Sequence, residues 1–287
     1  MRAPLSECAL ERPRTLAEAL AAVKGEAPAM PLAGGTDLYV YLNAGQLAAR
    51  RFVDLWGVRE LRGLKIVGKA ARLGALTTMS QIREHAVLAR RYPALAAAAA
   101  EVGGRQIQNR ATVAGNIANG SPAGDSLPPL LAYDAIVHAR SARSSRVIPF
   151  ERFYVGYRRH ALAPDELIVS IELPAPPSSR AVHFFRKVGT RRAQSISKVV
   201  FAGVLRRDRQ GVVEHVRLAY GSVAPVPLRA RAAEEALLDE KLTSSTVARA
   251  RAALAHDLSP IDDIRSDRAY RVAVAGNLLE QFLRIAK

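Results

Sequence analysis

One segment of the chain, Thr112 to Asp125, has small side chains over almost all of its fourteen residues. Its sequence is TVAGNIANGSPAGD, and it contains Gly115, Gly120 and Gly124. Side chains this small bury little apolar surface, so the segment contributes little to a hydrophobic core. Glycine lets another group approach the main chain closely, because it carries no Cβ atom. The segment therefore indicates a place where the backbone itself makes a close contact.

The polar side chains of this segment suit a particular class of ligand. Asn116 and Asn119 can donate amide hydrogens to phosphate or carbonyl oxygens. Asp125 only accepts hydrogen bonds, which suits the hydroxyls of a sugar or polyol. A diphosphate, a polyol and a planar ring together describe FAD, and we interpret the segment as one side of an FAD site. The alternative is a tight turn that holds two subdomains together.

A second glycine-rich segment, LAGGTDL from Leu32 to Leu38, follows a short apolar strand. Gly34 and Gly35 let the backbone take positive φ and turn its N–H groups inward, which forms a nest for an anion. Thr36 adds a hydroxyl donor. Many ordinary turns also contain Gly-Gly, so this segment alone does not identify a site. Together, the two segments can hold one dinucleotide chiefly by main-chain amides, in a cleft between subdomains.

Other patterns predict secondary structure of mixed type. Thr15 and Glu18 form a capping box for a helix. Alternating residues predict a hairpin within 64–82 that leads into a helix, two antiparallel strands within 134–150, and a strand at 166–174. The proline-rich segment PAPPSS, residues 174–179, interrupts helix and sheet, and we predict a domain boundary there.

The residues after this boundary predict three or four antiparallel strands, with a hairpin at RDRQG, followed by three helices. The predicted helices cover residues 229–239, 244–256 and 267–285. In the last of them, apolar residues recur about once per turn and predict a buried stripe. The members of this stripe are Tyr270, Val274, Leu278 and Phe282.

The net charge of +16 favours a nucleic acid, an anionic ligand or an acidic partner. The densest basic cluster, Arg140, Arg143 and Arg146, has no aromatic side chains interleaved for stacking on bases, and we interpret it as a solvated hairpin. Cys8 is the only cysteine, which excludes an internal disulfide and an iron–sulfur cluster held by cysteines of this chain alone.

Several classes of site and location are not favoured. The sequence contains no G-x-G-x-x-G, and GLKIVGKA has Ala70 where a P-loop needs a hydroxyl. The six histidines are scattered and do not fall at metal-ligand spacing, so we predict neither a metal site nor a catalytic side chain. We find no signal peptide and no apolar run near the roughly 20 residues that cross a bilayer, and we expect a cytoplasmic location.

The two glycine-rich segments also carry a family resemblance. PLAGGTDL, followed by NRATVAGNIANGSPAGDSLPPLLAYDA, resembles the FAD-binding medium subunit of the molybdenum hydroxylases, the xanthine dehydrogenase and carbon monoxide dehydrogenase family. ELIVSIELP and FRKVGTRRAQSISKVVFAGVL resemble later landmarks of the same subunit, so the resemblance covers nearly the whole chain.

The resemblance implies an α+β fold. An FAD-binding domain of the vanillyl-alcohol-oxidase (PCMH) type would cover residues 1–175, as two subdomains of about 1–55 and 56–175. A small domain with a three-stranded antiparallel sheet and a helix bundle, similar to the carbon monoxide dehydrogenase flavoprotein C-terminal domain, would cover residues 180–287.

The resemblance also implies which residues bind FAD. The first segment would bind the pyrophosphate through its backbone N–H groups; its residues are Leu32, Ala33, Gly34, Gly35, Thr36, Asp37 and Leu38. The second would line the other side of the cofactor; its residues are Thr112, Gly115, Asn116, Ala118, Asn119, Gly124 and Asp125. Lys187 would reach back toward the flavin, and Ile168 would make an apolar contact. Ala114 departs from the family's usual glycine.

The function implied is that of an electron-transfer subunit. FAD in this chain would take electrons from [2Fe–2S] clusters in a small subunit, which receive them from a molybdopterin centre in a large subunit. It would pass them to NAD⁺, a quinone or oxygen. The implied assembly is a dimer of heterotrimers. Two alternatives stay open: a self-contained flavin oxidase or dehydrogenase, and a basic nucleic-acid-binding protein without enzymatic activity.

Overall fold

The computed structural model describes residues 7–24, 29–191 and 194–287. Its strands are β1 (Ala9–Glu11), β2 (Met30–Leu32), β3 (Arg51–Asp54), β4 (Leu64–Val67), β5 (Ala70–Gly74), β6 (Ile136–Arg140), β7 (Ser145–Pro149), β8 (Tyr154–Gly156), β9 (Arg159–His160), β10 (Leu167–Leu173), β11 (Val182–Val188), β12 (Val199–Arg207), β13 (Val213–Gly221) and β14 (Leu228–Arg229). Its helices are α1 (Leu16–Lys24), α2 (Leu38–Asn43), α3 (Met79–Glu84), α4 (Ala86–Arg91), α5 (Pro93–Glu101), α6 (Arg105–Arg110), α7 (Val113–Asn119), α8 (Leu127–Ala132), α9 (Arg231–Glu235), α10 (Ser244–Asp257) and α11 (Arg268–Ala286). The α+β class expected from the sequence is confirmed.

The strands before residue 175 pair in separate sheets. β1, β3 and β2 pair in parallel in that order, and α2 lies between the neighbours β2 and β3 along the chain. Parallel neighbours require such a crossover connection, since a tight turn reverses the direction of the chain. β4, β5, β10, β6 and β7 form an antiparallel sheet, with the predicted pair within 134–150 as β6 and β7 at one edge.

Side-chain caps fix two predicted helix starts. Thr15 accepts a hydrogen bond from the backbone N–H of Glu18 at 3.2 Å, at the beginning of α1. Thr78 and Gln81 form a reciprocal capping box at the beginning of α3. Each cap satisfies N–H groups that have no partner within the first turn of a helix. The hairpin and helix predicted within 64–82 are therefore confirmed as β4, β5 and α3.

The described strands after residue 180 form an antiparallel sheet in the order β11, β12, β13 and β14. The family resemblance implied a sheet of three strands, and the fourth is the two-residue β14, which pairs with Ala219 and Tyr220. The hairpin predicted at RDRQG connects β12 to β13. Its turn is closed by the Asp208 carboxylate, which accepts from the N–H groups of Gln210 and Val212 at 2.8 Å each.

Strand β12 is buried on both faces. It connects the part of the chain before residue 175 to the part after residue 180, because its two faces belong to different hydrophobic cores. Ala202 and Val204 belong to the core that fills the part before residue 175. Phe201 and Leu205 point the other way, into a core formed with α10 and α11. Successive side chains of a strand face opposite sides, so one strand serves two cores. The side toward α8 carries small residues and lets the helix approach closely.

The apolar stripe predicted on the last helix is only partly buried. Leu278 and Phe282 of α11 lie in the core, as expected, whereas Tyr270 is 40% exposed in the first turn. Lys198 lies over the Tyr270 ring, 5.1 Å from its centroid. Phe282 packs against the sheet at Gly203, where a Cβ atom would lie 2.7 Å from the ring.

Ion pairs also link the two parts of the chain. Asp134, which has a positive φ of 49°, accepts from Arg217 and Arg229 at 2.8 Å each. Arg231 pairs with Glu151 at 2.5 Å. Arg229 is itself buried and also pairs with buried Glu234 at 2.6 Å. Because buried charges are stable only when they are paired, these contacts fix the register between the C-terminal sheet and the rest of the chain.

In the ranges that the structure describes, no helix has the length and apolar character that crossing a membrane requires.

We expect Phe282→Ala to lower the free energy of unfolding by about 3–5 kcal/mol, because truncation of a buried ring leaves a cavity. Chemical denaturation followed by far-ultraviolet circular dichroism measures this change. Ile285→Ala on the same helix is the control, since Ile285 is 57% exposed, and we expect a change within about 0.5 kcal/mol. Equal losses in the two variants would contradict the described packing of α11.

Candidate functional site

The first glycine-rich segment connects β2 to α2 and touches the chain just before the second segment. Gly35 has a positive φ of 77°, as the Gly-Gly pattern predicts. A Cβ atom on Gly34 would lie 2.0 Å from the carbonyl oxygen of Arg110. No other residue type fits at position 34 without displacing one of the two backbones. Glycine at this position therefore brings the two predicted segments together.

The backbone N–H groups of this segment are available as donors. Within the described residues, no hydrogen bond uses the N–H groups of Gly34, Gly35, Thr36 or Asp37. The first bond of the helix that follows runs from the Tyr39 N–H to the Gly35 carbonyl at 3.0 Å. We call these four N–H groups, Gly34–Asp37, the amide row. Leu32 and Ala33 before it and Leu38 after it are half-buried. A row of unbonded amides on a glycine turn can bind an anion.

The second segment is a helix followed by a turn, and its main-chain amides are mostly used within the chain. Thr112 caps α7 by accepting from the Gly115 N–H at 3.1 Å. The Asn116 N–H donates to the Thr112 carbonyl, and the Gly124 N–H to that of Ser121. The expectation that both segments bind a ligand chiefly by main-chain amides is therefore wrong for these positions. The Thr112 side-chain cap at its start and the left-handed Gly120, with a φ of 60°, at its end favour this helix.

Side chains of α7 provide the polar groups instead. The Asn116 amide oxygen accepts from Ser126 at 2.6 Å, which leaves its NH₂ group as the donor. Asn119 is half-buried and Ala118 is exposed on the same helix. Ala114 is the second residue of α7, and its N–H donates to the Ala75 carbonyl at 3.3 Å. Its φ is not positive, so alanine replaces the family's usual glycine without strain.

Two side chains that the sequence did not point to join the segments. Tyr41 of α2 donates to the Asn119 amide oxygen at 3.5 Å and accepts from Arg158 at 3.0 Å. Arg158 lies in the turn between β8 and β9 with a positive φ of 52°, and its Cα would lie 3.4 Å from a Cβ on Gly120. No motif marks these residues, since only tertiary contact brings them to the site.

Asp125 and Lys187 meet in a buried ion pair. The Lys187 ammonium lies 2.6 Å from one carboxylate oxygen, and the side chains are 2% and 9% exposed. The other oxygen accepts from Ser197 at 2.5 Å, and Lys187 also donates to the Glu101 carbonyl at 3.3 Å. Burial raises the pKa of the Asp125 carboxyl, and Lys187 and Ser197 oppose that effect.

This pairing adds a structural role to the cofactor roles expected for both residues. Asp125 accepts from Lys187 and Ser197, one donor on each carboxylate oxygen. A carboxylate can accept further hydrogen bonds, so contacts of Asp125 and Lys187 with a cofactor stay predictions. Lys187 belongs to β11 and Asp125 precedes α8, so the pair fixes the C-terminal sheet to the end of the small-residue segment. Ile168 is 6% exposed in the core, on strand β10, which contacts α7.

Comparison with known proteins identifies two family models along the chain. Residues 6–176 match the FAD binding domain in molybdopterin dehydrogenase, and residues 184–286 match the CO dehydrogenase flavoprotein C-terminal domain. The putative xanthine dehydrogenase FAD-binding subunit of Escherichia coli K12 is 34% identical over 91% of this chain and 89% of its own length. The carbon monoxide dehydrogenase medium chain of Hydrogenophaga pseudoflava is 28% identical over 96% and 95% of the two chains.

Solved structures of carbon monoxide dehydrogenases contain chains with the same fold as this chain. A chain of the carbon monoxide dehydrogenase from Hydrogenophaga pseudoflava, in a form lacking the Mo-pyranopterin moiety of its molybdenum cofactor, superposes with a TM-score of 0.94 and 30% identity. It covers 100% of this chain and 98% of its own length. A chain of the reconstituted carbon monoxide dehydrogenase from Oligotropha carboxidovorans gives a TM-score of 0.93 and 26% identity, over 100% and 99% of the two chains.

We expect Gly34→Ala to lower the free energy of unfolding by about 1–3 kcal/mol, because the added methyl group has no room beside Arg110. Urea denaturation followed by circular dichroism measures the change. Gly57→Ala is the control, since a Cβ there has its nearest neighbour at 3.5 Å, an ordinary contact. A Gly34→Ala protein as stable as the Gly57→Ala protein would show that the segments are not in close contact.

We expect Lys187→Met to lower the free energy of unfolding by about 3–5 kcal/mol, because it leaves the buried Asp125 carboxylate without its counter-charge. The double variant Lys187→Met/Asp125→Asn is expected to recover most of this loss, since it removes both charges. Arg105→Met, which breaks an exposed ion pair with Glu84, is the control and is expected to cost under about 1 kcal/mol. Additive losses in the double variant would argue against a coupled pair.

Proposed function

The chain belongs to the family of FAD-binding subunits of the molybdenum hydroxylases, and from this we propose that it carries electrons through FAD within a complex of that family. The electrons would come from [2Fe–2S] clusters of a partner subunit and go to an acceptor such as NAD⁺, a quinone or oxygen. FAD supplies the redox chemistry when bound, and the chain supplies binding and orientation.

One observation carries the proposal: the unbonded amide row of Gly34–Asp37 lies beside the small-residue segment Thr112–Asp125. The amide row fits the diphosphate of FAD, because successive N–H groups on a glycine turn stabilise negative charge. The NH₂ group of Asn116 on α7 adds a donor, since its amide oxygen is held by Ser126.

The residues proposed to bind FAD fall into two groups. Contact with the cofactor is assigned to the amide row, its flanking residues Leu32, Ala33 and Leu38, and the α7 residues Gly115, Asn116, Ala118 and Asn119. Positioning is assigned to Thr112, which caps α7, to Gly124, and to the Asp125–Lys187 pair, which holds the end of the segment in place. Ile168 supports α7 from the core.

We also propose the assembly and the division of the chain. The partners are a small iron–sulfur subunit and a large molybdopterin subunit, in a dimer of heterotrimers located in the cytoplasm. The name "medium chain" of the carbon monoxide dehydrogenase relatives supports a multi-subunit complex. Two domains, residues 1–175 and 180–287, are supported by the two hydrophobic cores that meet at β12.

We expect the purified chain, produced together with its partner subunits, to be yellow and to contain FAD in a stoichiometric amount. The measurement is the visible absorption spectrum, with chromatographic identification of the flavin released by acid. Replacement of the amide-row glycine in Gly34→Ala is expected to lower the flavin content, while Gly57→Ala retains it. A correctly assembled complex without flavin in this chain would overturn the proposal.

A further inference from the structure

The guanidinium groups of two arginines lie over the indole ring of Trp56, the only tryptophan of the chain. Trp56 lies in the short helical turn Leu55–Gly57 that follows β3. The guanidinium carbon of Arg110 lies 3.6 Å from the centroid of the indole ring, and that of Arg62 lies 4.6 Å from it. Cations over an aromatic face are attracted by its negative charge density, and the ring therefore fixes the orientation of Arg110.

This arrangement is connected to the amide row from two directions. β2 pairs with β3 so that Leu32 lies opposite Asp54, and the Asp54 carboxylate accepts from the Trp56 N–H at 2.9 Å. From the other direction, the carbonyl oxygen of Arg110 borders Gly34. Leu32, Asp54, Trp56, Arg110 and Gly34 thus form a closed set of contacts around the start of the amide row.

Arg110 differs from Arg62 in how its charge is used. Arg62 donates to the Trp56 carbonyl oxygen at 2.5 Å. Over the described ranges, no carboxylate lies within ion-pair distance of Arg110, and no hydrogen bond uses its guanidinium. Stacking occupies only the face of a guanidinium and leaves its in-plane N–H groups free. Arg110 is therefore an oriented cation with free donors, and its own main-chain carbonyl borders Gly34 at the start of the amide row.

We propose that Arg110 is a binding and specificity residue for the diphosphate of FAD, held in orientation by Trp56. This rests on the proposed function and assigns to the site a side-chain cation in addition to the backbone amides. Arginine suits the role because its planar fork matches two phosphate oxygens at once. The site would then distinguish FAD from riboflavin, which has the same ring and ribityl chain but no phosphate.

A purely structural role for Arg110 is the competing explanation, since the side chain also connects the end of α6 to the Leu55–Gly57 turn. The two roles predict different effects of an Arg110 substitution on the binding of different flavins. Loss of a structural contact weakens the binding of every flavin, whereas loss of a phosphate contact weakens FAD alone.

The test compares Arg110→Gln, Arg110→Lys and Arg62→Gln in the full chain, freed of flavin and titrated with FAD and with riboflavin. We expect Arg110→Gln to weaken FAD binding about 10- to 100-fold, the usual range for a hydrogen bond to a charged group, without changing riboflavin binding. Arg110→Lys is expected to recover part of the loss, because it keeps the charge and loses the planar fork. Arg62→Gln is the matched control on the same ring, with FAD affinity unchanged.

Fluorescence of Trp56 supplies a second readout, because no other tryptophan contributes. Inorganic diphosphate is expected to change the Trp56 emission of the wild-type chain and of Arg62→Gln, and to leave that of Arg110→Gln unchanged. Equal FAD affinity in wild type and Arg110→Gln, or equal losses for FAD and riboflavin, would overturn the inference. A wild-type chain that binds no FAD in the native complex would instead overturn the proposed function.

Discussion

The close approach of two backbones, at Gly34 and Arg110, is the constraint on which the candidate site depends. The space for a side chain at position 34 is filled by a carbonyl oxygen, so the sequence can place the two segments side by side only with glycine there. The result is a row of amides that follows β2 and borders the main chain just before a helix of small residues. The polar groups assigned to the cofactor lie on these two elements, except for Arg110, which ends α6 and is oriented by Trp56.

A second constraint holds the C-terminal part of the chain against this site. Strand β12 contributes alternate residues to two cores, and Lys187 of the neighbouring strand β11 ends on Asp125. The hydrophobic contact brings the sheet to α8, whereas the ion pair and Ser197 determine where the end of the small-residue segment lies. Burial of a charged pair is costly unless both partners are present, so the pair contributes to specificity of position more than to stability.

Local signals in the sequence predicted much of the fold. The cap at Thr15, the hairpins, the helix start within 64–82 and the strand at 166–174 depend on neighbours within a few residues. The structure has them near the expected positions. The buried stripe on the last helix was predicted from periodicity alone. It failed at Tyr270, which is 40% exposed, because periodicity does not show which turns of a helix have a packing partner.

The candidate site was predicted in outline and not in its chemistry. Glycine content indicated where the backbone approaches closely. It did not predict the helix that Thr112 caps, although Thr112 is a favourable helix cap. Tyr41, Trp56 and Arg158 lie outside the quoted motifs, and Arg110 lies within one of them without a predicted role. Only the folded chain brings Arg158 to Tyr41 and Arg110 to Trp56. The partner of Lys187 was likewise hidden, since the two residues are 62 positions apart.

The Asp125–Lys187 pair also bears on how this chain can diverge or be recombined. A carboxylate contributed by one half and an ammonium contributed by the other make the halves mutually dependent across the boundary between them. In a chimera that takes its first half from one relative and its second half from another, this ion pair forms only when the first parent supplies the carboxylate and the second supplies the ammonium. We therefore expect positions 125 and 187 to change together, although 62 positions separate them along the chain.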